Sequence, residues 1–138
     1  MKRREPISKV LTTEVTTVDR TAKLSHAYQL LTQAPFHHVP VVEGKKPVGI
    51  ISSIDVLRLA YDAGGSDQKA MAAMLDYQFN IDDAMSDDLT TLPLSATVKD
   101  AANKMSDGDI HSVLVVADNG DLAGIVTSTD LIRYLRDI

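Results

Sequence analysis

The sequence predicts a mixed α/β (α+β) fold in which one β-α-β-β-α unit is present twice. Three observations lead to this class. Similar segments recur 74 to 75 residues apart along the chain of 138 residues. Each copy contains apolar residues at helical spacing, and each then contains two β-rich runs separated by a polar turn. We place the first repeat at 1–63, a linker helix at 64–80 and the second repeat at 81–138.

The repeat is clearest in three aligned pairs of segments. TTV at 16–18 matches TTL at 90–92, VPVV at 39–42 matches VLVV at 113–116, and GIISSIDV at 49–56 matches GIVTSTDL at 124–131. The spacing grows by one residue between the second pair and the third. The second copy therefore has one extra residue in its polar turn, where insertions are best tolerated.

Each repeat is predicted to begin with a short strand, at Thr17 or Thr91, followed by a helix. The apolar residues of that helix recur at i, i+3, i+4 and i+7 in both copies, which predicts one buried face. They are Leu24, Ala27, Tyr28 and Leu31 in the first copy, and Val98, Ala101, Ala102 and Met105 in the second. Thr97 is a predicted N-cap, with Asp100 placed as in a capping box. Lys23 stands at the equivalent place, so the first helix has a weaker start.

Two strands, a turn and a closing helix complete each repeat. Asn119-Gly120 predicts a hairpin, because both residues tolerate positive φ. We predict the closing helices at about 55–63 and 130–136. Between the repeats, Gly64 and Gly65 end a helix and Ser66 is a predicted N-cap for a linker helix over 69–77.

The apolar residues of the linker helix and the last helix predict an interface. These residues are Met71, Met74, Leu131 and Leu135. Two packed repeats do not bury all of them, so we expect a homodimer.

The composition excludes several classes of protein. Without cysteine there is no disulfide framework, thiolate nucleophile or cysteine zinc site. The net charge is −5 and the only basic cluster is Lys2, Arg3 and Arg4, so nucleic acid is not an expected partner. No run approaches the roughly 18 apolar residues of a membrane span. A glycine-rich phosphate loop and a nucleophile elbow are both missing, so we expect no enzyme and no required cofactor. These features predict a cytoplasmic protein.

The repeated unit, ending in Gly-hydrophobic-hydrophobic-Ser/Thr-x-x-Asp, resembles the cystathionine-β-synthase (CBS) repeat. The matching segments are 49–55 and 124–130, supported by VPVV at 39–42 and by AMS at 84–86 before LTTLP at 89–93. The resemblance covers about 8–136. It implies a CBS pair (a Bateman module) with pseudo-twofold symmetry, often paired again into a homodimer. It also implies an adenosine-containing ligand between the repeats: AMP, ADP, ATP or S-adenosylmethionine.

The end of a strand followed by the start of a helix is suited to an anionic ligand, because unpaired backbone N–H groups meet there. A carboxylate at this point can accept hydrogen bonds from two sugar hydroxyls, and the resemblance gives Asp130 and Asp55 that role. The alternative is that each Asp only stabilises its helix start. The predicted second-repeat site, which we prefer, comprises Thr91, His111, Thr127, Ser128, Thr129 and Asp130.

The predicted first-repeat site is weaker, because Ile54 replaces the hydroxyl residue next to the Asp. It comprises Thr17, His37, His38, Pro40, Ser52, Ser53 and Asp55. His111 and His37 are candidate donors to a phosphate, or else surface residues. Together these features predict a stand-alone regulatory and energy-sensing module that acts in trans on a protein that the sequence does not identify. The alternative function is a structural dimerisation module without a physiological nucleotide.

Overall fold

A computed structural model describes residues 4–33 and 37–138, so Lys2 and Arg3 of the basic cluster lie outside the described residues. A short 3-10 helix, Ile7–Lys9, comes first. The first repeat then contains β1 (Val18–Asp19), α1 (Leu24–Gln33), β2 (His38–Glu43), β3 (Lys46–Ser52) and α2 (Ser53–Ala63). Helices α3 (Gln68–Gln78) and α4 (Ile81–Ala84) follow. The second repeat contains β4 (Thr91–Pro93), α5 (Val98–Met105), β5 (Ser112–Val116), β6 (Leu122–Thr127) and α6 (Ser128–Asp137). The predicted fold class and element order are confirmed.

The two sheets have the same topology. Each has its middle strand, β2 or β5, parallel to the short first strand and antiparallel to the third. Each middle strand carries a register shift, at Val41/Val42 and at Val115/Val116. The repeat seen in the sequence is therefore also a repeat of strand pairing.

The compact units of the fold do not follow the repeats. Residues 16–88 form one unit, called here the first unit, and residues 4–15 with 89–138 form the other, the second unit. The segment 4–15 packs in the second unit, where Thr12 pairs with Ile125 of β6. Residues 81–88 likewise pack in the first unit, where Ser86 pairs with Ile50 of β3. We call 4–15 and 81–88 the lead segments. The repeat boundaries 1–63, 64–80 and 81–138 remain a prediction, and the units cut across them.

Each lead segment contributes to the core of its unit. Ile7 is fully buried among residues of β4, α5 and β5, and Ile81 is fully buried among residues of the first sheet and α1–α3. Arg20 donates to Asp82 of α4 and to Glu43 of β2, each over 2.9 Å, and so fastens the second lead segment to the first sheet.

The glycine that opens each GI(I/V) motif is required by this packing. A Cβ placed on Gly124 would lie 2.5 Å from both Leu11 Cδ1 and the Thr12 carbonyl oxygen. A Cβ on Gly49 would lie 2.0 Å from Met85 Cγ and 3.0 Å from the Ser86 carbonyl oxygen. These glycines let a lead segment pass directly over the third strand.

Hydrogen bonds at the helix ends correct two details of the prediction. Helices α2 and α6 begin at Ser53 and Ser128, about two residues earlier than predicted, because the residue before each is the N-cap. Ser66 is not the cap of the linker helix. Asp67 is, and its carboxylate accepts from the Ala70 N–H over 2.7 Å.

The predicted start of α5 is confirmed, whereas α1 is stabilised by a residue that the sequence did not indicate. Thr97 and Asp100 form the predicted capping box. Lys23 precedes α1, and the carboxylate at the start of this helix comes from Asp76 of α3. Asp76 accepts from Ser25 N over 2.8 Å and from Ser25 Oγ over 2.6 Å. An anion at this end of a helix is favourable, since the first N–H groups lack intrahelical partners.

Pro40 accounts for a difference between the two sheets. In the second unit, Leu114 of β5 donates its backbone N–H to the Thr90 carbonyl over 3.1 Å. Pro40 is the equivalent residue of β2 and has no N–H. The Thr16 carbonyl therefore does not receive this bond, and β1 begins at Val18, one residue later than the equivalent start of β4 at Thr91.

Candidate ligand-binding groove at the start of helix α6

The two predicted aspartates occupy equivalent capping boxes. Asp130 Oδ2 accepts from Thr127 N over 2.8 Å and from Thr127 Oγ1 over 3.0 Å, while Asp130 N donates to Thr127 Oγ1 over 3.2 Å. Asp55 makes the same bonds with Ser52, over 3.2, 2.7 and 3.1 Å. Each carboxylate therefore stabilises the start of its helix, as the alternative interpretation held. The bonds that each carboxylate accepts all end on Oδ2, and within residues 4–33 and 37–138 no protein donor reaches Asp130 Oδ1.

In both repeats, the first residue of the closing helix is hydrogen-bonded to a histidine that comes just before the middle strand of the sheet. Ser128 N donates to the His111 carbonyl over 3.0 Å, and Ser53 N donates to the His37 carbonyl over 2.9 Å. Both imidazoles are exposed. His38 begins β2 and is half-buried.

The remaining predicted residues lie on or beside the same strands and helices. Thr91 is exposed on β4, whereas Thr17 is half-buried and precedes β1. Pro40 is buried within β2, so its side chain is not open to solvent. Ser128 and Ser53 open their helices, and Thr129 is exposed in the first turn of α6.

A groove of about 460 Å³ lies within the second unit, between the first lead segment and α6. Its lining residues are Lys9, Val10, Leu11, Thr12, Asp130, Arg133, Tyr134, Asp137 and Ile138. Asp130 is the member of the predicted site that lines it. Thr127 and Ser128 adjoin it through the capping box and the helix start.

The lead-segment residues of this groove were not predicted, because they come from the far end of the sequence. A signal did exist: at a spacing of 74, Leu11 and Thr12 align with Met85 and Ser86, which belong to the motif before the second repeat. That alignment marks the segment as part of the repeat. It does not reveal which sheet the segment joins.

The groove wall includes one perturbed group. Burial raises the pKa of the Tyr134 hydroxyl, and the nearby Glu5 carboxylate raises that pKa further. Tyr134 therefore stays a neutral hydrogen-bonding group, and its contact with Glu5 fastens the lead segment to α6. No cluster of three potential metal ligands occurs among the residues that the structure describes. In the same part of the chain, no helix is long and apolar enough to cross a membrane.

Several proteins resemble this chain. It is 26% identical over 138 residues to the uncharacterised protein MJ1404 of Methanocaldococcus jannaschii, an alignment that covers 96% of this chain and 32% of that protein. The chain spans between 11% and 36% of the length of the curated relatives that it matches.

Solved structures give the same fold. The AcuB protein of Vibrio cholerae matches with a TM-score of 0.77 and 26% identity, over 96% of this chain and 90% of that chain. The CBS domain pair of protein MJ0100, solved with 5′-methylthioadenosine and S-adenosyl-L-methionine, matches with a TM-score of 0.75 and 26% identity, over 94% and 98%. The CBS domain family model matches residues 7–62 and 81–137, which is most of the sequence. The chain belongs to the CBS domain family as a tandem pair.

Proposed function

We propose that this chain is a regulatory module that binds an adenosine-containing ligand in the groove beside Asp130 and acts on a partner protein. The observation that carries this is the Asp130 carboxylate, whose Oδ2 is held by the capping box while Oδ1 is open to accept from a ribose hydroxyl. The adenosyl ligands in the related MJ0100 pair support the same class of ligand. The partner protein and the cytoplasmic location remain predictions.

The groove offers the surfaces that a nucleoside requires. Val10 and Leu11 give an apolar wall for a base, and Thr12 brings a hydroxyl and backbone groups to the same side. Thr127, Ser128 and Thr129 surround the N-terminus of α6, where backbone N–H groups favour negative charge. The residues that line the groove can bind a ligand and include no nucleophile–base pair, so we propose no catalytic role.

Calorimetric titration with adenosine, methylthioadenosine, S-adenosylmethionine and AMP tests this proposal. Asp130→Ala removes charge-assisted hydrogen bonds worth roughly 1.5–3 kcal/mol each, so affinity should fall about tenfold or more. Asp55→Ala should cost less affinity, since we prefer the second-repeat site.

Asp100→Ala is the matched control, because Asp100 closes the capping box of α5 in the same unit and does not line the groove. Both variants should lose roughly 0.5–2 kcal/mol of stability, but only Asp130→Ala should lose affinity. An equal loss of affinity in both would mean that Asp130 acts through the fold alone.

The second candidate function is a structural dimerisation module, favoured by exposed apolar residues on α2 and α6. Leu57 is 64% exposed and Ile132, its counterpart at a spacing of 75, is 66% exposed. Met71 and Leu131, which we expected at the interface, instead pack against the two cores. We therefore propose a homodimer through Leu57, Ile132 and Leu135 rather than through Met71 and Leu131.

Light scattering at tens of micromolar tests the homodimer. The wild type should have twice the mass of the 15.0 kDa chain, and Leu57→Lys with Ile132→Lys should give monomers. A monomeric wild type would remove the dimer proposal. A dimer that binds none of the adenosyl compounds would favour the structural function.

A further inference from the structure

The first unit has a helix that covers two others. Helix α3 packs against both α1 and α2. Leu75 of α3 is fully buried in the core of this unit, and Asp76 of α3 accepts two hydrogen bonds from Ser25 of α1. On the neighbouring α2, Ala60 and Ala63 are both buried. In the first unit, a third helix thus closes the helical layer.

The second unit leaves the equivalent face of its closing helix open. Among the described residues of this unit, none forms a helix equivalent to α3. Leu135 of α6 and Ile138, the C-cap of that helix, are the counterparts of Ala60 and Ala63 at a spacing of 75. They are 58% and 68% exposed, and α6 contains no buried residue. The pair of helices α5 and α6 therefore has an apolar surface at the place that α3 covers in the first unit.

A cation lies where a carboxylate is bound in the first unit. Lys99 of α5 is the counterpart of Ser25 at a spacing of 74. It is exposed, and across the described part of the chain its side chain forms no hydrogen bond or ion pair. Asp100 already closes the capping box of α5. A carboxylate in the place of Asp76 would therefore pair with the Lys99 ammonium group.

The exposed side chains favour a helix other than those of a second copy. Leu135 and Ile138 are larger than the alanines at the equivalent positions, so a helix with the residues of α3 would overfill this space. The α3 of a second copy also packs in its own unit. Leu57 and Ile132, which we propose for the homodimer, are exposed in both units alike, so the difference between the units does not concern them. Leu135 lies between Ile132 and Ile138 around α6 and borders both surfaces.

We propose that Lys99, Leu135 and Ile138 form a docking face for an amphipathic helix of the partner protein. This helix presents small apolar residues to Leu135 and Ile138 and a carboxylate to Lys99. Burial of the two apolar side chains supplies affinity, and the charge pair sets the orientation of the helix. The inference rests on the proposed function, because it gives the chemistry of the partner. Ile138 also lines the groove, which places the docked helix beside the ligand.

Titration of the full, isotope-labelled chain with a synthetic peptide, followed by NMR, tests the inference. The peptide has the sequence of 66–80 with Met71→Ala, which retains Asp76 and makes room for the larger residues of α6. Amide signals of α5 and α6 should shift, and those of α1 and α2 should not. Ile138→Ser should weaken peptide binding about three- to tenfold, because it removes apolar area from the docking face.

An exchange of charges provides the matched control. Lys99→Glu should lower the affinity for the peptide about three- to tenfold, and Asp76→Lys in the peptide should restore the affinity for this variant. Lys104→Glu should leave the affinity for the peptide unchanged. Lys104 is also an exposed cation of α5, but it lies roughly 140° around the helix from Lys99.

Three results would overturn the inference. The docking face is wrong if the peptide does not bind, or if Lys99→Glu binds both peptides as the wild type does. If Ile138→Ser instead halves the mass measured by light scattering, a second copy occupies this face. Calorimetric titration with adenosine separates these results from the proposed function: a chain that binds adenosine and no peptide keeps its ligand and loses the docking helix.

Discussion

At the scale of single residues, Gly124 makes the firmest prediction about stability. A methyl group there would meet the Thr12 carbonyl oxygen, a backbone atom at 2.5 Å that cannot move aside without moving the lead segment. We expect Gly124→Ala to destabilise the protein by about 1–3 kcal/mol, the usual cost of overpacking. Chemical denaturation followed by circular dichroism measures this difference.

Gly49 provides the comparison. Its closest obstacle is the Met85 side chain, which can change rotamer, while the Ser86 carbonyl oxygen lies farther off at 3.0 Å. Gly49→Ala should therefore cost less than Gly124→Ala, and Met85→Ala should restore part of the loss. If both glycine variants lose the same amount of stability, the packing of the lead segments is not the cause of the loss.

Asp130 combines two tasks that the sequence left as alternatives. Its capping bonds fix the carboxylate in one position before any ligand arrives. A group positioned in this way loses little side-chain entropy on binding, which favours affinity. The structural role is therefore compatible with the proposed ligand role.

At the scale of elements, the lead segments decide which half of the molecule a mutation affects. Ile7 is near the N-terminus, yet it is fully buried in the core of β4–β6 and α5. Ile7→Ala should cost about 2–5 kcal/mol and should speed hydrogen exchange mainly in residues 89–138. Amide exchange read by mass spectrometry locates the effect.

Ile81→Ala is the reciprocal variant. Ile81 is also fully buried, but in the core of the first unit. Faster exchange should then appear mainly in residues 16–88. If the Ile7 variant speeds amide hydrogen exchange in residues 16–33 and leaves residues 89–138 unchanged, Ile7 does not stabilise the second unit as the structure indicates.

The elements themselves were predictable because their signals are local. Helical periodicity, the Thr97 cap and the turn at Asn119-Gly120 depend on neighbours in sequence, and the structure confirms α5 and the second hairpin. Gly120 has a φ of 88°, whereas Asn119 does not have positive φ. The choice between Ser66 and Asp67 as N-cap was wrong, because adjacent residues compete for one position and propensity does not separate them.

The groove was not predictable to the same degree, because its two walls are more than 110 residues apart in sequence. The Ser/Thr-x-x-Asp motif identified Asp130, since the motif carries its own hydrogen bonds. Lys9 and Arg133 belong to no motif, and tertiary contacts such as the pairing of Thr12 with Ile125 of β6 bring the lead segment beside α6. Sequence patterning also assigned Met71 and Leu131 to a homodimer interface, although both are partly buried against the cores of their own units.

At the scale of the whole molecule, neither half of the chain, 1–64 or 65–138, contains all the residues of one compact unit. Residues 1–64 supply the first lead segment to the second unit. Residues 65–138 supply α3 and the second lead segment, which contains α4, to the first unit, where Leu75 and Ile81 are fully buried. The stability of each unit therefore depends on both halves of the chain. A single repeat alone would leave its hydrophobic core partly exposed to water.

This reciprocal exchange makes the protein a natural case of fragment complementation. A protease site placed at Gly64-Gly65, which are exposed and both have positive φ, would cut the chain into two pieces that each hold parts of both cores. We expect each piece alone to be unfolded by circular dichroism. Mixed in equal amounts, the pieces should elute together and recover the spectrum of the intact chain. A piece that folds alone would show that the exchanged segments are dispensable. A single repeat encoded alone would need a second copy of itself to donate a lead segment to its core. The tandem chain therefore makes within one molecule an association that separate repeats would make between two molecules.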